Sequence, residues 1–305
     1  MKILVATEKP FSAAAVASIR EVVEGAGLEL ATIEKYTERA ELLAAVGDAD
    51  GLIVRSDIVD AEVIAAAPSL KVIVRAGAGY DNIDLAAATA HGIVVMNTPG
   101  QNANAVAELT FGMLFYVVRD GFSGRAGTEL MGKRLGLHAF GNVARNVARV
   151  AQGLGMDVCA YDPFLTSEQI AAAGVTPVAT LAELYATCQY VSLHIPATPD
   201  TVGSIGYDLL RTMPLGAALI NTARKEVVDE AGLERLMDER PDFRYIADVK
   251  PAAAERLAEK YGSRIFFTPK KSGAQTAEAN SNAGIAAARQ SVGFLTEGID
   301  RYRVN

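Results

Sequence analysis

The first third of the chain alternates short β-rich runs with segments whose apolar residues recur at helical spacing. Five such runs are KILVA, LELATIE, GLIVR, KVIVRAG and GIVVMN, and segments such as FSAAAVASIREVVEGAG and TERAELLAAVGD separate them. Repeated βα units of this kind predict a parallel sheet covered by helices. The series ends at Asn97, before the turn-rich passage TPGQNANAV.

A second βα series fills most of the rest of the chain. Its seven candidate strands are KRLGLHAF, MDVCAYD, VTPV, QYVSLHIP, AALINTA, FRYIADV and RIFFTP. That number is sufficient for a complete doubly wound domain. Between the two series, the apolar stretch from Ala103 to Val118 predicts one long buried or interfacial helix. Thr276 to Ile299 predicts a last helix, with no strand after it.

These patterns predict two Rossmann-like doubly wound parallel-sheet domains in an α/β protein. A chain of 305 residues is about twice the usual domain length, which agrees with two domains. The last helix has no strands of its own, so we expect it to return to the first domain. The predicted division is therefore 1–98 with 284–305, and 99–283.

Composition excludes several classes of function. Lys plus Arg (29) against Asp plus Glu (36) gives a net charge of −7, and no run of five like charges occurs, which argues against nucleic-acid or anionic-membrane partners. Cys159, Cys188 and three scattered histidines lack metal-site spacing, so neither a metal nor a disulfide scaffold is expected. With no signal peptide and no membrane-length apolar stretch, we expect a soluble cytoplasmic protein.

Residues 135–162 have the context of a dinucleotide site. A predicted strand from Leu135 to Ala139 leads through a turn into a helix, and the next strand ends at Asp162, 23 residues after Ala139. Gly141 stands where the backbone must approach a pyrophosphate, and Asp162 where a carboxylate would bind ribose hydroxyls and favour NAD over NADP. The pattern A-x-G-x-x-A is weaker than G-x-G-x-x-G, so an ordinary αβ turn with a strand-end aspartate is the alternative.

Arginines follow three of the predicted strands. Arg224 ends the strand from Ala217 to Ala223, where a guanidinium could bind the carboxylate of an oxo acid through two hydrogen bonds. In the first domain, Arg55-Ser56 and the turn Arg75-Ala76-Gly77-Ala78-Gly79 end neighbouring strands and could hold an anion. The alternatives are a surface arginine and a glycine turn without a ligand.

Several long motifs then match a known family. The stretch KVIVRAGAGYDNIDLAAATAHGIVVMNTPGQNANAVAEL, followed by GTELMGKRLGL, VSLHIPATPDT, INTARKEVVDE and FTPKKSGAQTAEA, closely resembles the D-isomer-specific 2-hydroxyacid dehydrogenases over nearly the whole chain. The resemblance implies a substrate-binding domain (1–98 and 284–305), an NAD-binding domain (99–283) and a cofactor cleft between them. It also implies a homodimer formed largely through the long helix, and hydride transfer at a 2-hydroxy or 2-oxo acid.

The resemblance assigns site residues position by position. The residues implied to bind NAD are Gly141, Asn142, Val143, Asp162, His194, Pro196, Thr201, Thr222, Ala223, Asp248 and Gly273. Arg224 would bind the substrate carboxylate. The residues expected to bind the rest of the substrate are Arg55, Ser56, Arg75, Ala76, Gly77, Ala78, Gly79 and Asn102.

The family's proton-transfer pair is absent from this sequence. In place of a histidine in T-P-H stands Thr268-Pro269-Lys270-Lys271, and the segment after Asp248 lacks the partner glutamate, its nearest carboxylate being Glu255. Alignment from the strand puts Lys270 at the histidine position, whereas alignment from Gly273 puts Lys271 there. A carboxylate would make a lysine hold its proton more strongly, so loss of the glutamate suits a lysine acid/base. Our hypothesis is that one of the two lysines fills this role, and a catalytically dead site is the alternative.

Taken together, these features predict an NAD-dependent oxidoreductase acting on a small anionic substrate. The favoured reaction is oxidation of D-3-phosphoglycerate to 3-phosphohydroxypyruvate, the entry to serine synthesis. The alternatives are a hydroxypyruvate or glyoxylate reductase and a catalytically silent NAD-binding regulatory protein. Because the segment VVRDGFSGRAGTEL is short and the chain ends soon after its last helix, we expect a small dimer contact and no C-terminal regulatory domain.

Overall fold

The computed structural model describes all residues, Met1–Asn305, and divides into two compact units. Unit 1 comprises Met1–Asn102 and Gln275–Asn305, and unit 2 comprises Ala103–Ala274. The sequence placed the second boundary between 283 and 284, inside the last helix. That helix starts at Ala277 and lies entirely in unit 1, so the boundary falls before it.

The sheet of unit 1 contains the five predicted strands, all parallel, in the order β2-β1-β3-β4-β5. Their bounds are β1 Lys2–Thr7, β2 Glu29–Glu34, β3 Gly51–Val54, β4 Val72–Arg75 and β5 Val94–Asn97. The strands are rich in Val, Ile and Leu, and most of their side chains are buried on both faces, as expected for a parallel sheet between helices.

The helices of unit 1 begin at capping residues that satisfy their first amide groups. Ser12, Asp60 and Asp84 accept hydrogen bonds from backbone N–H groups at the starts of three helices. The helices are α1 Ala13–Gly25, α2 Arg39–Ala45, α3 Ala61–Ala65, α4 Leu85–Ala90 and the C-terminal α12 Ala277–Glu297. Helix α12 packs against α1. A Cβ at Gly284 would lie 2.8 Å from the ring of Phe11, so glycine is what lets this part of α12 approach so closely.

Unit 2 contains the seven predicted strands in one parallel sheet of order β12-β11-β10-β9-β6-β7-β8. Their bounds are β6 Arg134–His138, β7 Asp157–Tyr161, β8 Thr176–Pro177, β9 Tyr190–Leu193, β10 Ala218–Asn221, β11 Arg244–Ala247 and β12 Ile265–Phe267. Hydrophobic cores lie on both faces of this sheet. The predicted fold class of two parallel-sheet α/β domains is thereby confirmed.

The helices of unit 2 cover both faces of its sheet. They are α5 Ala103–Val118, α6 Asn142–Gly153, α7 Ser167–Ala171, α8 Leu181–Thr187, α9 Tyr207–Leu210, α10 Glu230–Glu239 and α11 Ala254–Tyr261. The first of these has the bounds that the apolar stretch predicted, and more than half of its residues are buried. No helix combines the length and the hydrophobicity needed to cross a bilayer.

The strand orders locate one ligand-binding edge in each unit. In unit 2 the chain winds from β6 through β7 to β8 and then returns to build β9 to β12 on the other side of β6. In unit 1 the corresponding reversal lies between β1 and β3. Ligands of open α/β sheets bind outside the carboxyl ends of the strands at such a reversal point.

Candidate cofactor and substrate sites

The turn between β6 and α6 leaves backbone amide groups open to an anion. Gly141 precedes α6 and provides no side chain to cap it. A Cβ placed on Gly141 would meet no atom within 4 Å, so the space in front of the helix is open. The first N–H groups of a helix lack partners within it and carry the positive end of its dipole. The predicted pyrophosphate positions Gly141, Asn142 and Val143 thus form the start of an uncapped twelve-residue helix.

Ala139 keeps this turn in a conformation that normally requires glycine. Its φ angle is +75°, in the left-handed region, and its N–H donates to the carbonyl of Tyr161 at 2.8 Å. The left-handed backbone is adopted with the methyl group in place, which costs an L-residue about 1–2 kcal/mol.

We expect Ala139→Gly to stabilise the protein by about 0.5–1 kcal/mol. Relief of the left-handed strain is partly offset by the greater freedom of glycine in the unfolded chain. Urea denaturation would report the change in the free energy of unfolding. Ala258→Gly, on the exposed face of α11, is the control and should destabilise by about 1 kcal/mol. Equal destabilisation by both substitutions would contradict the strain at Ala139.

Asp162 fixes the shape of the same turn from the end of the neighbouring strand. One carboxylate oxygen accepts the N–H of Phe140 at 2.8 Å, and the other accepts the N–H of Phe164 at 2.9 Å. Each oxygen retains a second lone pair, so the carboxylate can still accept hydrogen bonds from ribose hydroxyls. Asp162 can therefore stabilise the turn at the strand end and still bind a ribose.

Two histidines lie at the carboxyl ends of β6 and β9, and both are neutral at physiological pH. Burial lowers the pKa of His138 to about 4 and that of His194 to about 3. His138 is in hydrogen-bond contact with Tyr185 at 3.1 Å, whereas the buried Nε2 of His194 has no partner. The third histidine, His91, lies in unit 1 after α4. The histidines of unit 2 are therefore poor candidates for a proton-transfer residue working near neutral pH.

The loop after β9 is closed by Thr201. Its hydroxyl donates to the carbonyl of Pro196 at 2.6 Å and accepts the N–H of Thr198 at 2.8 Å. The family resemblance implied that Pro196 and Thr201 bind NAD. In the structure, the threonine hydroxyl is occupied in holding the loop that follows His194.

Arg224 is positioned by a side chain that the sequence analysis did not single out. Asn221 ends β10, is fully buried, accepts the N–H of Ala223 at 3.0 Å and donates to the carbonyl of Arg224 at 2.9 Å. The Arg224 side chain is partly buried and forms no ion pair; Nη1 donates only to the carbonyl of Ala223. Beside it, the buried hydroxyl of Thr222 has no partner.

Asp248 organises the loop that carries the two lysines. It is 1% exposed and accepts hydrogen bonds from the Thr268 hydroxyl at 2.7 Å, from Ser272 N–H at 2.7 Å and from Gly273 N–H at 2.8 Å. Gly273 is buried, and a Cβ there would lie 3.0 Å from the Asp248 carboxylate. The N–H of Gly273 is thus bound within the protein instead of pointing to a cofactor, and the loop between Thr268 and Gly273 is held at both ends.

Lys270 and Lys271 lie on this held loop, and both side chains are exposed. Strands β10, β11 and β12 are neighbours and parallel, so their carboxyl ends meet at one edge of the sheet. Arg224, Asp248 and the lysine pair follow these three ends. The turn after Asp248, where the family has a glutamate, is held by Glu230, which accepts the N–H groups of Ala252 and Ala253 at 2.8 and 3.1 Å.

Arg55 of unit 1 lies at the reversal point between β1 and β3. Nη1 donates to the carbonyls of Lys9 and Pro10, and Nη2 donates to Asn280 Oδ1 at 2.5 Å. The guanidinium also lies over the ring of Phe11, 5.2 Å from its centroid. Asn280, on α12, was not predicted, because nothing local in the sequence indicates that the last helix returns to this position.

Arg75 packs beside Arg55 without a carboxylate partner. Its Nε donates to the carbonyl of Arg55 at 2.9 Å, and neither arginine forms a salt bridge. Burial, and then the charge of Arg55, hold the pKa of Arg75 below its usual range. A Cβ on Gly77 would lie 1.4 Å from Arg75 Nη1, so glycine is required for the guanidinium to occupy this place. Asp57 and Asp81 lie near enough to oppose these shifts by their charge but form no salt bridge with either arginine, so the two adjacent, partly desolvated cations are a candidate anion site.

The glycine turn after Arg75 has fewer open amides than the sequence suggested. Ala76 N–H donates to Val54 O, and Gly77 N–H donates to Arg75 O, both at 2.8 Å. The N–H groups of Ala78 and Gly79 donate no such backbone hydrogen bond. Of the remaining predicted substrate residues, Ser56 is exposed after Arg55 and Asn102 is the residue before α5.

The residues of unit 2 fit a dinucleotide. Four polar features follow strands that end at the reversal point or directly beside it. They are the unpartnered buried atoms His194 Nε2 and Thr222 Oγ1, the uncapped start of α6, and the Asp162 carboxylate. Fold and site together define a dinucleotide-binding α/β protein that also carries an unpaired arginine at the same sheet edge.

Comparisons with known proteins identify the family. The model for the D-isomer specific 2-hydroxyacid dehydrogenase catalytic domain matches residues 3–305. D-3-phosphoglycerate dehydrogenase of Rattus norvegicus is 36% identical over 291 residues, covering 90% of this chain. The chain therefore belongs to the D-isomer specific 2-hydroxyacid dehydrogenases, a family of oxidoreductases, as its motifs predicted. It spans about half the length of that relative, 54%.

Solved structures agree with this identification. A cofactor (NAD+)-bound 3-phosphoglycerate dehydrogenase of Entamoeba histolytica is 48% identical, with a TM-score of 0.87, over 100% of this chain and 98% of that one. The structure of D-2-hydroxyisocaproate dehydrogenase matches with a TM-score of 0.83 at 20% identity, over 100% and 99% of the two chains, and shows the same fold. A nicotinamide dinucleotide is the cofactor that these relationships indicate.

Proposed function

We propose that the protein oxidises D-3-phosphoglycerate to 3-phosphohydroxypyruvate with NAD, the reaction that begins serine synthesis. The observation that carries the choice of substrate is the pair Arg55 and Arg75. The Arg75 guanidinium donates to the backbone carbonyl of Arg55, and both side chains are partly buried at the carboxyl edge of the unit 1 sheet and form no salt bridge. A phosphate group needs such cations, whereas a substrate with an apolar side chain needs an apolar wall.

The cofactor assignment rests on the edge of unit 2. Asn142 and Val143 begin the uncapped helix α6 and would hold the pyrophosphate, and Asp162 would hold the ribose. That carboxylate would repel a 2′-phosphate, which favours NAD over NADP. The Entamoeba histolytica relative is described as bound to NAD+. NAD, when bound, supplies the hydride acceptor.

Side chains of unit 2 would hold the substrate and move the proton. Arg224 binds the carboxylate through two parallel hydrogen bonds, which its unpaired guanidinium leaves open. In the oxidation, one of Lys270 and Lys271 takes the proton from the C2 hydroxyl; in the reverse reaction its ammonium donates that proton to the carbonyl oxygen. Asp248 positions the lysine loop through Ser272 and Gly273.

We include in this proposal that the chain forms homodimers through α5 and the segment after it. Phe115, Tyr116 and Phe122 are large apolar side chains that are exposed there, at 37%, 41% and 67% of their surface. Clusters of exposed aromatic residues favour association. The segment is short, consistent with a small contact.

The proposed reaction is tested by comparing substrates in the reducing direction. NADH consumption is followed with 3-phosphohydroxypyruvate, hydroxypyruvate and glyoxylate over a pH series. We expect 3-phosphohydroxypyruvate to have the highest kcat/KM. Equal or faster reduction of hydroxypyruvate would contradict the proposed phosphate site and would favour a reductase of unphosphorylated oxo acids. Binding of NAD without turnover at any pH would favour a catalytically silent regulatory protein.

Replacement of Arg75 by methionine should affect the phosphorylated substrate selectively. Loss of one charged hydrogen-bond donor is worth about 1.5–3 kcal/mol, so we expect KM for 3-phosphohydroxypyruvate to rise about 10- to 100-fold. KM for hydroxypyruvate should change little, because it has no phosphate. Arg20→Met, which removes an exposed ion pair with Glu24 on α1, is the control. A parallel rise in both KM values would contradict a phosphate role.

A further inference from the structure

The two cysteines of the chain meet inside the core of unit 2. Cys159 lies on β7, and Cys188 follows α8, two residues before the start of β9 at Tyr190. Both are fully buried free thiols, and their sulfur atoms are 3.0 Å apart. No local pattern pairs them, since they are separated by 29 positions and their spacing fits no known motif.

A glycine on the central strand allows this meeting. Strand β6 lies between β7 and β9, and Gly136 is the register partner of Cys159. A Cβ at Gly136 would lie 2.9 Å from Cys188 Sγ and 3.1 Å from Cys188 Cβ. Because glycine has no Cβ, Cys188 can pass over β6 and reach the cysteine of the next strand.

The two sulfur atoms are in direct contact, at 3.0 Å. The carbonyl of Leu135 lies 3.8 Å from the Cys159 sulfur, and the hydroxyl of Thr187 lies 3.8 Å from the Cys188 sulfur, so each sulfur is closer to the other than to either of these oxygens. The Arg134 side chain is also near, and its positive charge acts on both thiols. A shift of about 1 Å would bring the sulfurs to disulfide bonding distance, about 2.05 Å.

We propose that Cys159 and Cys188 are a redox modification site, forming a reversible intramolecular disulfide when the protein meets a small oxidant such as hydrogen peroxide. The site is separate from the proposed dehydrogenase activity. The bond would join β7 to the end of α8 across Gly136. It would thereby tie the strand that leads to Asp162 to a seven-residue helix whose outer face is exposed.

The chemistry requires two steps and one peroxide. The Cys188 sulfur attacks one peroxide oxygen, the O–O bond breaks, and a sulfenic acid forms with release of water. The Cys159 sulfur then attacks Cys188, the S–S bond forms, and the hydroxyl leaves as a second water. The two thiol protons are carried away in the two waters; the cysteines lose two electrons and the peroxide gains them. Hydrogen bonding from Cys159 lowers the pKa of the Cys188 thiol, which favours Cys188 as the attacking sulfur.

Mass spectrometry of the full chain tests the site directly, because there are only two cysteines. The protein is treated with hydrogen peroxide, unfolded in guanidinium and alkylated with iodoacetamide. We expect alkylation to fall from two groups per chain to none. The unalkylated mass should be lower by two hydrogen atoms, and dithiothreitol should restore both thiols. Two alkylated cysteines after treatment, oxygen added to a single cysteine, or a disulfide between chains would each overturn the proposal.

Substitutions supply matched controls. Cys159→Ala should leave Cys188 without a resolving thiol, so that peroxide adds oxygen and no disulfide forms. Gly136→Ala places a methyl group against the Cys188 side chain and should slow disulfide formation in folded protein, as judged by circular dichroism. If that variant does not fold, peptide mapping of the oxidised wild type for a 159–188 link decides. Absence of a disulfide-linked peptide joining residues 159 and 188 would contradict the site.

Discussion

Replacing Lys270 and Lys271 with alanine, singly and together, should identify the residue that transfers the proton. We expect one single variant and the double variant to lose about 10²- to 10⁴-fold in kcat, the range that general acid–base catalysis contributes. The other single variant should lose much less. The physical reason is that both neutral histidines of unit 2 have pKa values far below 7, which leaves the lysine loop to supply the proton.

The direction of the pH dependence should identify the group further. Reduction needs the protonated ammonium, so its rate is highest at low pH and falls as the pH rises. Oxidation needs the amine, so its rate grows over the same range. We expect reduction to persist at and above neutral pH, where His138 and His194, with pKa values of about 4 and 3, have lost their protons. Loss of reduction already near pH 4 would point to one of these histidines.

Controls separate catalysis from folding. Lys133→Ala removes a lysine just before β6, at the opposite edge of the same sheet, and should leave kcat unchanged. Added methylamine should partly restore turnover to the inactive alanine variant, because a free amine can replace the missing side chain. If each single variant kept near-normal turnover, neither lysine would be the acid/base.

The fold was predictable to a large extent because its signals are local. Runs of Val, Ile and Leu separated by helical spacing predicted all twelve strands, and the apolar stretch Ala103–Val118 predicted α5 with its bounds. The domain boundary at 283 was less accurate. Where a helix belongs depends on what it packs against, and the contact of α12 with α1 is set by residues such as Gly284 and Phe11, far apart in sequence.

The positions of the candidate site residues were predictable only where one side chain stands at a strand end. Asp162 and Arg224 could be located in this way. The roles of Asn221, Asp248 and Gly77 depend on which atoms meet after folding: a turn closed by an amide, a loop held by a carboxylate, and a guanidinium placed where a Cβ would lie. Periodicity and motif spacing carry no information on such contacts, nor on the meeting of the two thiols over Gly136.

Exchanging Arg224 for lysine should give the second large effect. Lysine keeps the positive charge but loses the planar pair of donors that matches a carboxylate. The Arg224 guanidinium has no ion pair and donates only to the carbonyl of Ala223, while Asn221 holds its backbone in place, so the substitution mainly removes hydrogen bonds to the substrate. We expect kcat/KM to fall about 100-fold, corresponding to about 2.7 kcal/mol.

The measurement is steady-state kinetics with 3-phosphohydroxypyruvate and with hydroxypyruvate. Both substrates have the carboxylate, so both should suffer alike, in contrast to the phosphate-selective effect expected for Arg75→Met. Arg244→Lys, at the start of β11 and thus at the opposite sheet edge, controls for the loss of a guanidinium from unit 2. NAD binding should be retained in Arg224→Lys. Full activity of this variant, or a loss confined to the phosphorylated substrate, would show that Arg224 does not bind the carboxylate.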